Sequence, residues 1–449
     1  MTSITDGTSP SSIADAGTWI DALPEPTRDA LTALGELLVG ATSRPAASET
    51  AERFTMRSLG VTGLSGIVDE ARELSAVQRL TVALAVAELI DEHNPSIGPD
   101  DYTNPPAYTQ TSLGGTTYRH PQCLRAAFPA GTLLSEAPIV IGIDARSGSF
   151  TDPEVTAYIL RDYQVDAQRV LDALMDRAYA LNPYRGRAVR ATLSAGHGLT
   201  FTSITLPSTA TRDTVIVDTA VWDEIDLGIA AVRDHHAMLN RHGLGSRRGV
   251  LLSGPPGTGK SAISAAVAAE LLGDFTVIYV EAKAGEHLLT AVVEESQRIG
   301  GPVLIVLEDV DLVVRDRRAG NSGGLAELLQ AMDIQPDARI LTLASTNDLT
   351  TLDAAAIRAG RFDSIVTVDY PDAAAGAEIL TKLTEGIPGD VDAVLVARRV
   401  PTQTSGSDLR EIVRRAVLAG GGEISTSGLL AEVSSGRYRA LPEGTGQYL

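Results

Sequence analysis

Gly254-Pro255-Pro256-Gly257-Thr258-Gly259-Lys260-Ser261 follows the apolar run Gly249-Val250-Leu251-Leu252 and precedes a small-residue helical pattern that ends near Leu271. Strand, glycine loop and helix in that order form a phosphate cradle. The glycines let backbone N–H groups converge on an anion, and the first turn of the next helix adds unpaired donors and the positive end of its dipole. Lys260 is expected to reach the β- and γ-phosphates of a nucleoside triphosphate, and Ser261 to offer its hydroxyl to Mg²⁺. With Ala262 closing the run, these nine residues are the candidate nucleotide-binding set.

A second signal lies in Pro302-Val303-Leu304-Ile305-Val306-Leu307-Glu308-Asp309. An apolar strand delivers two carboxylates at its C-terminal end, where open α/β sheets bind ligands. A nucleoside triphosphatase needs one acid for the metal shell and another to orient the attacking water. Glu308 is assigned the metal, with Ser261, and Asp309 the water.

The elements that must carry these residues alternate. From Thr214 onward, short β-branched runs (GVLLSG, FTVIYVEA, PVLIVLED, RILTLAST, SIVTVDY) are separated by helical patterns, which implies a parallel sheet covered on both faces. After Tyr370-Pro371 the strands stop, and helices are expected near 373–385, 390–399 and 406–420. Upstream, a short amphipathic helix is expected at 26–40, a stronger helix at 66–93, a buried strand at 137–145, and a helix from Asp152-Pro153 to Leu181. Residues 187–206 read as a β-hairpin; residues 100–135 show no usable period. The expected fold class is α/β: a parallel sheet flanked by helices, a small helical lid, and a mixed helical/β region in front. The boundaries are a mobile segment at 1–60, a recognition region at 61–210, a large ATPase subdomain at 211–372, a lid at 373–432 and a flexible tail at 433–449.

Composition narrows the function. The 57 acidic residues outnumber 37 Lys and Arg, a formal charge of −20, which disfavours binding to nucleic acid or anionic lipid. Cys123 is the single cysteine, so neither an internal disulfide nor a multi-cysteine zinc site can form. The apolar run at 80–90 is too short to span a bilayer, and the first residues lack the blocks of a signal peptide. The expected location is cytoplasmic, with no membrane partner.

Residues 213–420 resemble the AAA family of P-loop ATPases. Besides the phosphate loop and acidic strand, Leu341-Thr342-Leu343-Ala344-Ser345-Thr346-Asn347 resembles the family's sensor strand, with Asn347 at the γ-phosphate sensor. LDAAAIRAGRFD (352–363) is similar to its second region of homology, with Arg358 and Arg361 at the two arginines that reach a neighbouring subunit's site. SGSDLREIV (405–413) resembles the start of its lid helix, with Gly406 near the adenine. The resemblance implies ATP and Mg²⁺ as cofactors and a homo-oligomeric ring, by resemblance a hexamer. Two departures stand out. The acidic pair runs Glu-Asp rather than Asp-Glu, the order of the branch containing the mitochondrial Rieske-protein translocase, which leaves slow turnover open. The place of the family's aromatic pore loop reads VEAKAGEHLL (280–289), with no aromatic at its tip.

The chain printed here finishes Gly446-Gln447-Tyr448-Leu449. These residues resemble the terminal docking motif of actinobacterial proteasome activators, in which a penultimate tyrosine and the free carboxylate enter a groove between α-subunits of the 20S core. The leading expectation is a ring ATPase that unfolds client proteins and delivers them to a 20S proteasome docked by Gln447, Tyr448 and Leu449. The alternatives are a remodelling or translocase ATPase acting on assemblies without degradation, and an ATP-gated adaptor that hydrolyses little.

Overall fold

The computed structural model describes residues 23–28, 30–31, 49–100, 102–146, 152–194, 198–280, 288–310, 336–351 and 361–439. The expected mobile segment lies largely outside the described residues, as do Arg358, most of the pore-loop position at 280–289, and Gln447, Tyr448 and Leu449.

The first unit is built on α1 (Ala51–Leu59), β1 (Ile67–Glu73), α2 (Ala76–His93), β2 (Ser96–Gly98), β3 (Ala107–Leu113), β4 (Thr116–Phe128), β5 (Ile139–Asp144), β6 (Glu154–Leu160) and α3 (Gln164–Ala180). Its sheet runs β1-β6-β5-β4-β2, with β3 also paired to β4. Helices α2 and α3 close over it through Val86, Leu89, Leu171 and Leu174, which share a core with Leu124 and Ile141.

Two expectations change here. The helix expected over 66–93 begins only at Ala76, where Ser75 and Gln78 form a capping box. Residues 67–73 instead form β1, paired antiparallel to β6 from Ile67↔Leu160 to Glu73↔Glu154. Asp152-Pro153 does not open a helix either: Glu154-Val155-Thr156-Ala157-Tyr158-Ile159-Leu160 is β-branched and aromatic, and it fills the gap between β5 and β1. The unreadable stretch 100–135 holds the β3–β4 hairpin, turned at Gly114 and Gly115, both at positive φ.

The second unit uses β7 (Ala188–Ser194), β8 (Gly198–Ser203), α4 (Thr219–Arg233), α5 (His236–Arg241), β9 (Arg248–Ser253), α6 (Lys260–Leu271), β10 (Thr276–Val280), α7 (Leu288–Ile299), β11 (Val303–Leu307), β12 (Ile340–Thr346) and β13 (Ser364–Thr367). The sheet order is β13-β9-β12-β11-β10-β7-β8. The strands from β13 to β7 run parallel, and β8 turns back on β7. The hairpin expected in the recognition region therefore extends the ATPase sheet, with Ala188 to Ala191 beside Val277 to Val280. β11 is buried at all five positions, which only two covered faces allow. Leu304, Val306, Leu341 and Leu343 face the α4 and α6 layer; Val303, Ile305 and Leu307 face α7 and the start of α2.

That second layer joins the two units through one carboxylate. Glu295 of α7 accepts from Ser75 Oγ and from the Val77 N–H, both at 2.9 Å, and its other oxygen accepts from Arg298 at 2.8 Å. It caps the N-terminus of α2 from across the interface, where a negative charge meets unpaired N–H groups and the helix dipole. With only 6% of the Glu295 side chain exposed, Glu295→Ala leaves the buried Val77 N–H and the half-buried Ser75 hydroxyl without this acceptor. The expected loss is about 2–3 kcal/mol of unfolding free energy, measured by urea titration; an unchanged midpoint would show that the cap does not hold the units together.

Among the described residues, four helices follow: α8 (Ala373–Thr384), α9 (Ala393–Ala397), α10 (Gly406–Ala419) and α11 (Thr426–Ser435). They pack on a core of their own around Leu380, Val396, Leu409, Ile412 and Leu429.

Candidate nucleotide site

The phosphate loop leaves β9 at Ser253 and enters α6 at Lys260. Its first glycine is a packing requirement, because a Cβ on Gly254 would lie 2.1 Å from the Val368 carbonyl oxygen. Gly257 sits at φ +79°, where a side chain would strain the backbone and also meet Ser405 and Ser407. Thr258 donates to the Pro255 carbonyl at 2.9 Å and fixes the bend. Lys260 is buried, and its ammonium donates to the carbonyls of Gly254 (2.7 Å) and Pro255 (2.8 Å). The charge is thus held inside the loop's own curve. Pro256, Ser261 and Ala262 are exposed around it, with Ser261 and Ala262 in the first turn of α6.

Two strands away, β11 ends at Leu307 beside Ala344 of β12. Glu308 and Asp309 follow, both half-buried. Continuing the alternation of Leu304 and Val306, Glu308 falls on the α6 face, the side of the phosphate loop. Asp309 leaves the strand with φ +53°. Its N–H donates to Ser345 Oγ at 3.1 Å, and its carboxylate accepts from Asn347 Nδ2 at 3.0 Å. The acid expected to orient water and the residue expected to sense the γ-phosphate are therefore in direct contact. Tyr279, inside β10, packs on the same face; burial, with the Glu308 charge adding to it, pushes its phenol up to about 12.

The helical unit closes the remaining side. Ser405 and Asp408 form a capping box at the start of α10. The Ser407 N–H donates to the Gly257 carbonyl at 3.1 Å, and a Cβ on Gly406 would come within 3.4 Å of that oxygen. The first turn of α10 rests on the phosphate loop, so Lys260, Asp309, Asn347 and Gly406 gather at the C-terminal edge of one sheet. Of the arginines, Arg361 is described and Arg358 is not. Arg361 precedes buried Phe362, and exposed Asp363 then exchanges backbone and side-chain hydrogen bonds with Gly249 at 2.9 and 3.0 Å.

Sequence reasoning missed Ser345 and Ser407. Each acts through a backbone group of a segment distant in sequence, and only the hydroxyl of Ser345 between Ala344 and Thr346 hinted at a polar task. It also missed that Asp100, Cys123 and Asp144 converge, with ligating atoms within 4.8 Å of one another. Arg146 pairs with Asp144 and Arg125 with Asp100, so both carboxylates already face a cation. Burial, then the Asp100 charge, pushes the Cys123 thiol up to about 12, which keeps it a small apolar side chain at neutral pH.

Residues 250–370 match the family described as ATPase family associated with various cellular activities (AAA). The chain carries an AAA ATPase domain. That domain begins in β9 and ends past β13, so it takes in the phosphate loop, the acidic pair, Asn347 and Arg361. Among curated proteins, the chain is similar to an ATP-dependent zinc metalloprotease FtsH of Synechococcus sp. (strain JA-2-3B'a(2-13)), 37% identical over 220 residues, or 45% of this chain and 34% of that protein. It is also similar to ATP-dependent zinc metalloprotease FTSH 1, chloroplastic, of Oryza sativa subsp. japonica (34% over 223 residues, 45% and 32%). The FtsH of Kosmotoga olearia gives 35% over 222 residues, 46% and 34%. The chain spans about a third of the length of these relatives. The similarity concerns an AAA ATPase module, and none of the seven histidines here begins a His-Glu-x-x-His zinc motif.

Proposed function

We propose that this chain hydrolyses ATP with Mg²⁺ in a homo-oligomeric ring and uses the cycle to remodel client proteins. The contact between Asp309 and Asn347, facing the Lys260 loop under the first turn of α10, carries this reading. Lys260 and the N–H groups of Gly257 to Ser261 hold the phosphates; Gly406 approaches the base. Ser261 and Glu308 would hold Mg²⁺: one is an exposed hydroxyl on the first turn of α6, the other a carboxylate on the α6 face of the sheet, and both are the hard oxygen donors this ion takes. The ion supplies neutralisation of phosphate charge. Asp309 orients the attacking water, Asn347 links it to the γ-phosphate, and Arg358 and Arg361 act on the site of the adjacent subunit in a hexameric ring. The capping of α2 by Glu295 supports a recognition unit that moves with α7, so that nucleotide-driven shifts reach the client. No helix among the described residues is long and apolar enough to cross a membrane.

The destination of the client is read from Gln447-Tyr448-Leu449, which suit docking to a 20S core. A second reading, remodelling without degradation, is favoured by the absence of an aromatic at the tip of VEAKAGEHLL. Phosphate release with Mg²⁺ and with EDTA tests the ATPase; release independent of Mg²⁺ would sink it. Binding to a purified actinobacterial 20S core, intact chain against a chain lacking Tyr448 and Leu449, separates the destinations. Binding lost on truncation supports delivery. No binding by either chain leaves remodelling alone.

A further inference from the structure

In the parallel ladder the last paired residues are Leu307 of β11 and Ala344 of β12. One step on, Glu308 and Ser345 stand side by side on the α6 face, continuing the pairs Leu304↔Leu341 and Val306↔Leu343. The ladder itself ends at Leu307, two residues before Asp309. A strand that simply continued would send the Asp309 side chain to the opposite face, away from the phosphate loop. Instead Asp309 adopts φ +53°, a conformation that costs a non-glycine residue on the order of 1 kcal/mol and is tolerated best by Asn and Asp. Its N–H, no longer in the ladder, donates to the hydroxyl of Ser345, which is 1% exposed. The same turn swings the carboxylate onto Asn347.

We infer that Ser345 is a positioning residue for hydrolysis: its hydroxyl holds the left-handed turn at Asp309 and so fixes the water-orienting carboxylate. This rests on the ATPase reading above and deepens it. The reversed Glu-Asp order shows why such a device is needed. The water-orienting acid here is an aspartate, one methylene shorter than glutamate, so the missing reach must come from the backbone. A turn out of the strand supplies it, and a turn needs an acceptor for the N–H that leaves the ladder. Asn347 alone cannot do this, because it binds the carboxylate and leaves the backbone free to relax to negative φ. Ser345 acts on the backbone and Asn347 on the side chain, and together they define where the carboxylate points.

The test compares Ser345→Ala and Ser345→Thr in the full chain. Steady-state phosphate release, titration with a fluorescent ADP analogue, and hydrogen exchange at the Asp309 amide are measured on each. The alanine variant is expected to lose about tenfold in kcat with KM for ATP and ADP affinity within about twofold, and to exchange the Asp309 amide at least about tenfold faster. The threonine variant keeps the hydroxyl and is expected to restore both kcat and protection, a pattern that a packing defect at a buried strand position would not produce. An alanine variant with parental kcat, or equal losses in both variants, overturns the inference. If the parent chain binds ADP but releases no phosphate, the ATPase reading fails, and amide exchange decides the positioning role: faster exchange in alanine alone upholds it, unchanged exchange overturns it.

Discussion

Lys260→Ala will weaken ATP binding by about two orders of magnitude, read as the Kd of a fluorescent ATP analogue. The ammonium is buried and already within 2.8 Å of two loop carbonyls, so it reaches the phosphates with little reorganisation. Charge-assisted hydrogen bonds in such a setting contribute about 1.5–3 kcal/mol each, and a net loss near 3 kcal/mol corresponds to roughly a hundredfold in Kd. The fold should survive. Val250, Leu251 and Ile263 flank the loop within the core, and Thr258 holds its bend without the lysine. Thermal stability without nucleotide is therefore expected to change little, while stabilisation by added ATP largely disappears. An unchanged Kd would mean that phosphate does not enter this loop.

How much of this was legible in the sequence depended on whether a feature closes within one segment. The phosphate loop is consecutive, and its strand and helix flank it directly, so it could be read residue by residue. The strands at 248–253, 303–307 and 340–346 announced themselves because burial on both faces leaves Arg248 as their one charged residue. The helices near 373–385 and 406–420 followed from helical patterning, whereas the capping box at Ser405 came only with the structure. Features that need a partner elsewhere were not legible. Residues 67–73 carry enough charge to pass for a helix surface and become a strand only because β6 offers them a ladder. The hairpin at 188–203 was visible as a hairpin, but its attachment to β10 is a tertiary choice. Glu295 looks like any helix carboxylate until α2 presents its N-terminus. Asp309 was assigned from type and spacing, whereas its left-handed turn depends on a hydroxyl more than thirty residues away.

Asp309→Asn will lower kcat about 10²–10³-fold while ATP affinity stays within about threefold, measured by phosphate release beside nucleotide titration. The substitution is informative because it leaves the local structure intact. Asn adopts positive φ at least as readily as Asp, so the turn at 309 keeps its backbone and the N–H keeps Ser345 as acceptor. The substituted amide's oxygen can still accept from Asn347 Nδ2, which preserves the 3.0 Å contact. What disappears is the negative charge and with it the capacity to draw a proton from the attacking water. The loss should therefore fall on the chemical step alone, and the variant should hold ATP long enough to be isolated with it. Glu308→Gln is expected to behave differently: its carboxylate is assigned to the metal shell, so Mg²⁺ dependence shifts to higher concentration along with kcat. If the two variants instead exchanged behaviour, the roles of the acids would be reversed and the family's usual Asp-then-Glu logic would apply by position rather than by residue type. If neither lost activity, the water would have to be oriented from outside this strand.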